Sequence, residues 1–173
     1  LMRSGEPDVP TLERFLLAEL EDGSLLGFDA RTVNTALARR LGNKLRTKHI
    51  RFAGDEDLVD ALWPDRPPLS AAPVWELGIE YAGEARADKL ARVRKAMADE
   101  GADAFVVTAL DELAWLLDLR GNDVACTPVF LGFLLLTKED TVLCARAGAV
   151  GEEVKAALAA DGVRLADYEG IYG

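Results

Sequence analysis

Histidine and cysteine are nearly absent from this chain, which has one histidine and two cysteines in 173 residues. A dinuclear metal site needs several converging carboxylates, usually with histidine. His49 stands alone in the basic stretch Lys48-His49-Ile50-Arg51, where neighbouring cations oppose a metal ion, so it reads as a solvated strand residue. Serine–histidine and cysteine–histidine catalysis would both have to draw on that same His49. Ser4, Ser24 and Ser70 lie in turns or linkers with nothing close in sequence to activate them. Cys126 and Cys144 lack metal-ligand spacing and are too few for a disulfide framework, so they are expected as free thiols of a cytoplasmic protein. A glycine-rich phosphate loop is missing too, because Gly121-Asn122-Asp123 lacks the spacing for one. The longest apolar run, Val129 to Leu136, is strand-sized and short of the roughly 18 residues that span a bilayer. No hydrophobic region follows Leu1-Met2-Arg3-Ser4-Gly5, so these residues do not read as a signal peptide. Positive charge is in deficit: 20 basic against 30 acidic residues give a net charge of −10. That argues against nucleic-acid and anionic-membrane partners, both of which need positive potential.

What is present is a globular balance, half apolar and 29% charged. Residues 12–20, 31–41 (ended by Gly42-Asn43) and 57–63 are predicted helices, the last capped by Asp55 and with one buried side. Leu25 to Asp29 and Lys48 to Phe52 are predicted strands between them. This αβαβα series holds only two strands, too few for an independently stable sheet. Four of the seven prolines fall between 64 and 73 and mark an extended linker. Beyond it, residues 74–81 read as extended. A helix is predicted over 84–100, with Leu90, Val93 and Met97 on one stripe and Lys and Arg opposite. Residues 103–108 read as a buried strand, 129–137 and 141–145 as a β-hairpin, 150–160 as a helix and 163–165 as a final strand. Trp63, Trp75 and Trp115 sit in apolar patterns and are expected to pack in a core or interface.

The most informative stretch is Thr108 to Asp123. Thr108 and Asp111 suggest a capping box, Leu110, Leu113, Ala114 and Leu117 recur at helical spacing, and Gly121 is placed to take a left-handed cap. Asp111-Glu112 would make an acid/base pair on paper, but their place in a first helical turn is explained by the helix dipole.

Several motifs together resemble the middle of the three-domain Xaa-Pro aminopeptidases (aminopeptidase P) of the creatinase/prolidase superfamily. They are Asp65-Arg66-Pro67-Pro68, Tyr81-Ala82-Gly83-Glu84, Asp88-Lys89-Leu90-Ala91-Arg92-Val93-Arg94, the string from Leu110 to Val124, and Pro128-Val129-Phe130-Leu131. Residues 11–63 are similar to the last portion of the family's first domain, through Gly27-Phe28-Asp29 and Asp55 to Asp60.

The resemblance implies an α/β fold: a creatinase/prolidase N-terminal-like domain over 74–173, with a mixed β-sheet flanked by helices. It is preceded by a 64–73 linker and by the C-terminal portion of a partial α/β domain at 1–63. It implies a parent enzyme that releases the N-terminal residue from peptides with proline second. Two divalent metal ions, often manganese, would be held in a "pita-bread" catalytic domain whose motifs fall on no residue here. This chain would then be non-catalytic and without cofactor, packing on the missing catalytic domain of the same polypeptide. Arg120, Asn122 and Asp123 would sit at the rim of the cleft that takes the peptide substrate. Cys126-Thr127 departs from the aromatic-Asn pair expected before Pro128. The alternatives are a stand-alone binding or dimerisation module, forming a homodimer, and a small hydrolase using Asp111, Glu112 or Asp118.

Overall fold

The computed structural model describes residues 2–3 and 5–172, so Ser4 lies outside the described residues. The chain divides into two compact units, residues 1–67 and 68–173.

The first unit is a βαβ crossover with a preceding helix. Helix α1 (Leu12–Glu19) starts at Thr11, whose hydroxyl accepts the Arg14 N–H at 3.3 Å. Strands β1 (Leu25–Gly27) and β2 (Arg51–Ala53) pair in parallel, with Leu26 opposite Phe52. Parallel strands need a crossover connection, which helix α2 (Thr35–Leu45) supplies. Here the structure corrects the sequence reading. Residues 30–32 form a separate 3₁₀ turn, α2 starts at its Asn34 cap, and Gly42 and Asn43 lie inside the helix. A Cβ at Gly42 would make an ordinary contact with the Phe52 ring at 3.5 Å, so helix α2 runs through Gly42 beside β2.

His49 is not a strand residue. It takes a left-handed conformation (φ 51°), and its Nδ1 lies 3.0 Å from Asp22 Oδ1. The expected third helix is a single 3₁₀ turn, Asp60–Leu62, capped by Asp57 (not Asp55) through the N–H groups of Val59 and Asp60. Its apolar side chains are not buried: Leu58, Val59, Leu62 and Trp63 are all exposed. So short a segment gains little without packing, and Pro64 disfavours helix just before it. Among the described residues the buried apolar side chains of this unit are Leu41 and Leu45.

The second unit carries the larger core. Strand β3 (Trp75–Glu76), helix α3 (Ile79–Ala82), helix α4 (Arg86–Asp99), strand β4 (Ala104–Val107), helix α5 (Leu110–Leu117) and strand β5 (Leu119–Arg120) come first. The hairpin strands β6 (Gly132–Thr137) and β7 (Thr141–Ala145), helix α6 (Glu152–Ala160) and strand β8 (Val163–Asp167) follow. The main sheet has the order β4-β6-β7-β8 and is mixed: β4–β6 and β6–β7 are antiparallel, and β7–β8 is parallel across the α6 crossover. Strict alternation along β6 buries Gly132, Leu134 and Leu136. They face Leu90 and Met97 of α4, Leu113 and Leu117 of α5, and Leu158 of α6 in one apolar cluster. Each fully buried leucine contributes roughly 1.5–3 kcal/mol. On the opposite sheet face the Phe133 ring packs on Tyr168 (5.1 Å between centroids) and Tyr172 (6.0 Å).

Strand β4 differs from expectation. It is a sheet edge, and of its residues only Val107 is buried, while Phe105 and Val106 are exposed. The three tryptophans are also half exposed rather than packed away.

Two predictions follow from these contacts. Gly121 has no room for a methyl group, because a Cβ there would meet Phe130 Cβ at 2.7 Å and the Val129 carbonyl at 3.1 Å. Gly121→Ala is expected to destabilise the second unit by about 1–3 kcal/mol in urea unfolding; an unchanged midpoint would contradict this packing. In the first unit the Arg66 guanidinium, with the Val59 and Asp60 N–H groups, holds the Asp57 carboxyl below the ordinary carboxylate range. A depressed folded pKa adds stability above the ordinary value of about 3.9, and that stability is lost as pH falls through the folded value. Asp57→Asn is therefore expected to lower the stability of this unit at neutral pH and to flatten its acid dependence below about pH 4. The edge-to-face Phe28 and Phe52 rings, 5.8 Å apart, give NMR signals that follow it; an acid slope identical to the unsubstituted chain would count against the ion pair.

Candidate functional site

Helix α5 and the turn after it organise the second unit. The Thr108 capping box does not form: the N-cap is Ala109, with no side-chain hydrogen bond. Asp111 and Glu112 lie exposed in the first turn, where the helix dipole favours them. At the other end, Asp118 (not Gly121) takes the left-handed cap, with φ 54°, and its N–H reaches the Ala114 and Trp115 carbonyls.

The last carbonyls of a helix have no partner within it and carry partial negative charge. Here three cations meet them. Arg86 Nε donates to the Leu117 carbonyl at 2.6 Å, and Lys89 Nζ donates to the Trp115 carbonyl at 2.9 Å. Arg120 Nη1 folds back to the Ala114 and Leu119 carbonyls, each at 2.8 Å. Arg86 is only 3% exposed and Lys89 1%, so both need compensating charge. Arg86 pairs with Asp161 at 2.8 Å and also with Glu76, while Lys89 pairs with Asp118 at 2.5 Å. The Lys89 ammonium also lies 4.8 Å from the centre of the Trp115 ring, and the Arg92 guanidinium 5.5 Å from it.

Sequence reasoning had assigned the Lys and Arg residues of this helix to the solvated side and missed this pair of buried cations. The signal was available: Arg86, Leu90, Val93 and Met97 fall on one stripe at helical spacing, so Arg86 had to point inward.

Downstream, β5 pairs antiparallel with β3, with Trp75 opposite Arg120, and Leu77 N–H donates to the Asp118 carbonyl at 2.7 Å. The turn then closes on itself. Asp123 N–H reaches the Val129 carbonyl at 3.1 Å, and Asp123 Oδ2 accepts the Leu131 N–H at 2.8 Å. Asp123 Oδ1 is buried and accepts no hydrogen bond among the described residues. The three residues expected at a cleft rim thus differ in role. Arg120 is half-buried with one nitrogen on the end of α5, Asp123 turns inward to pin the start of β6, and Asn122 is exposed.

A pocket of about 540 Å³ opens beside this corner. Its wall holds Arg86 and five carboxylates: Glu76, Glu80, Asp118, Glu153 and Asp161. Glu76, Asp161 and Asp118 are committed to the two buried cations.

The remaining candidates for acid/base or nucleophilic chemistry lie apart from one another. Asp111 and Asp118 stand at opposite ends of α5, roughly 10 Å apart along its axis. Burial pushes the Cys144 thiol above its ordinary pKa, away from thiolate, and Cys126 is an exposed free thiol. Among the described residues no group of three or more His, Cys, Asp or Glu is placed to hold a metal ion, so a dinuclear centre does not fit the donors of this chain.

Comparison with known proteins gives this corner a context. Residues 65–173 match the Creatinase/Prolidase N-terminal domain family. The chain is 37% identical to a probable Xaa-Pro aminopeptidase P of Sordaria macrospora over 176 residues, covering 99% of this chain and 28% of that protein. A probable Xaa-Pro aminopeptidase P of Neurospora crassa is also 37% identical, over 99% of this chain and 26% of its own length. The solved X-prolyl aminopeptidase of Caenorhabditis elegans, described as a cytosolic enzyme with a di-nuclear active site, superposes with a TM-score of 0.87 at 29% identity. That match covers 99% of this chain and 28% of the solved one. The chain therefore spans little more than a quarter of the length of these relatives. With its mixed sheet, its flanking helices and a family match across the whole second unit, the chain belongs to the creatinase/prolidase family through the N-terminal domain of Xaa-Pro aminopeptidases.

Proposed function

We propose that these 173 residues are the non-catalytic N-terminal region of a metal-dependent Xaa-Pro aminopeptidase. The whole enzyme releases the first residue of peptides with proline second, in the cytoplasm, with two divalent ions held outside this region; manganese is the expected metal. This region packs on the catalytic portion and shapes the mouth of its cleft, with the Arg120–Asp123 turn at the rim. The observation that carries the reading is the 37% identity to a probable aminopeptidase P over nearly all of this chain and only 28% of the relative. Asn122 is the rim side chain best able to meet a peptide, because it is exposed while its neighbours are engaged. The catalytic portion of the same polypeptide is the principal partner, and self-association into a homodimer is secondary to it.

The test compares the 173-residue chain with the full-length gene product in manganese-containing buffer. The full-length protein is expected to cleave an Xaa-Pro peptide and the 173-residue chain to leave it intact. Turnover by the short chain that persists through further purification would overturn the assignment.

A further inference from the structure

We propose that the buried Lys89–Asp118 pair is a positioning element for peptide binding at the rim turn, rather than a device for stability. The inference rests on the reading that the Arg120–Asp123 turn faces the substrate cleft.

A buried ion pair is weak evidence of stabilisation. Removing two charges from water costs about as much as their attraction returns, and apolar residues of similar volume often serve equally well. Lys89 is only 1% exposed and its Asp118 partner 5%, so this pair carries that desolvation in full. Its geometry shows what it holds. Lys89 reaches from α4 to two points on the end of α5, the Trp115 carbonyl and the Asp118 carboxylate, and its ammonium nitrogen lies 4.8 Å from the centre of the Trp115 ring. Asp118 is the residue at which the chain leaves the helix, in a left-handed conformation that non-glycine residues seldom adopt. Its carbonyl, held by the Leu77 N–H, sets the register of β5 against β3. Asn122 follows four residues later, and only Gly121 separates it from the paired Arg120. The exit direction at Asp118 therefore sets one end of the segment that presents Asn122, and the Gly121 and Asp123 N–H groups, bonded to the Pro128 and Val129 carbonyls, set the other. Arg86 hydrogen-bonds the Leu117 carbonyl, Asp161 and Glu76, and none of these bonds reaches the turn beyond Leu117.

The experiment uses full-length enzyme and three variants: Asn122→Ala, Asp118→Asn, and the uncharged double Lys89→Met/Asp118→Asn. Asn tolerates the left-handed conformation but removes the counter-charge and leaves the buried Lys89 ammonium uncompensated, so Asp118→Asn breaks the ion pair without forbidding the cap and remains informative if the double variant does not fold. Expected is a rise in KM of roughly five-fold or more for an Xaa-Pro peptide in Asn122→Ala and Asp118→Asn. kcat should stay within about two-fold, the signature of lost ground-state binding. The double variant, where folded, is expected to share the KM defect while its melting temperature stays within a few degrees of the parent. Asn122→Ala with unchanged KM would overturn the rim reading, and the positioning role with it. A raised KM in Asn122→Ala beside parental KM in Asp118→Asn would overturn the positioning role alone. A lowered melting temperature with parental KM in either pair variant would show the pair to be merely structural.

Discussion

The carbonyl end of α5 is the constraint from which the second unit is built. A helix ending in the middle of a domain leaves carbonyls that must be satisfied, and here Arg86, Lys89 and Arg120 supply the donors from two different elements. Two of those cations are buried, which obliges Glu76, Asp161 and Asp118 to gather round them. One requirement thus draws β3, α4, β5 and the start of the segment after α6 into a fixed arrangement. The acidic pocket is the visible residue of that gathering. Three of its five carboxylates are counter-charges to the helix cap.

The two units are stabilised differently. In the second, a four-stranded mixed sheet buries one face under three helices and packs Phe133 on the other against the closing tyrosines. In the first, a two-stranded parallel pair carries little apolar burial, and parallel strands are ordinarily covered on both faces within larger sheets. Ion pairs such as Arg66–Asp57 and Arg40–Glu13 link its segments. Surface pairs of this kind are individually weak.

Much of the fold could be read from the amino acids because its signals were local. The β6–β7 hairpin and the α4 stripe of Leu90, Val93 and Met97 each declare themselves within a dozen residues. What failed depended on tertiary context. The run 57–63 has helical pattern without a layer to bury it. Gly42 looks like a stop, yet α2 continues through it to Leu45. Gly121 looks like a left-handed cap, yet Asp118 takes that conformation and Gly121 is needed because Phe130 comes too close for a side chain. The buried cations were hidden by habit, since arginine and lysine on a helix are usually solvated. At the turn, the residue types of Arg120, Asn122 and Asp123 pointed to a polar corner. Which of them faces outward depended on hydrogen bonds to Ala114 and Leu131 that no spacing rule encodes.

If cation-capped α5 sets the geometry of the turn, the turn should be as rigid as the sheet it joins. Native-state hydrogen exchange tests this most directly through the amides of Leu77, bonded to the Asp118 carbonyl, and Leu131, bonded to the Asp123 carboxylate. Both are expected to exchange with protection within about ten-fold of Leu135 and Leu136 in the centre of the sheet, opening only in the same cooperative unit. Exchange at the rate of exposed loop amides, with the sheet still protected, would show that the turn moves independently and contradict the account.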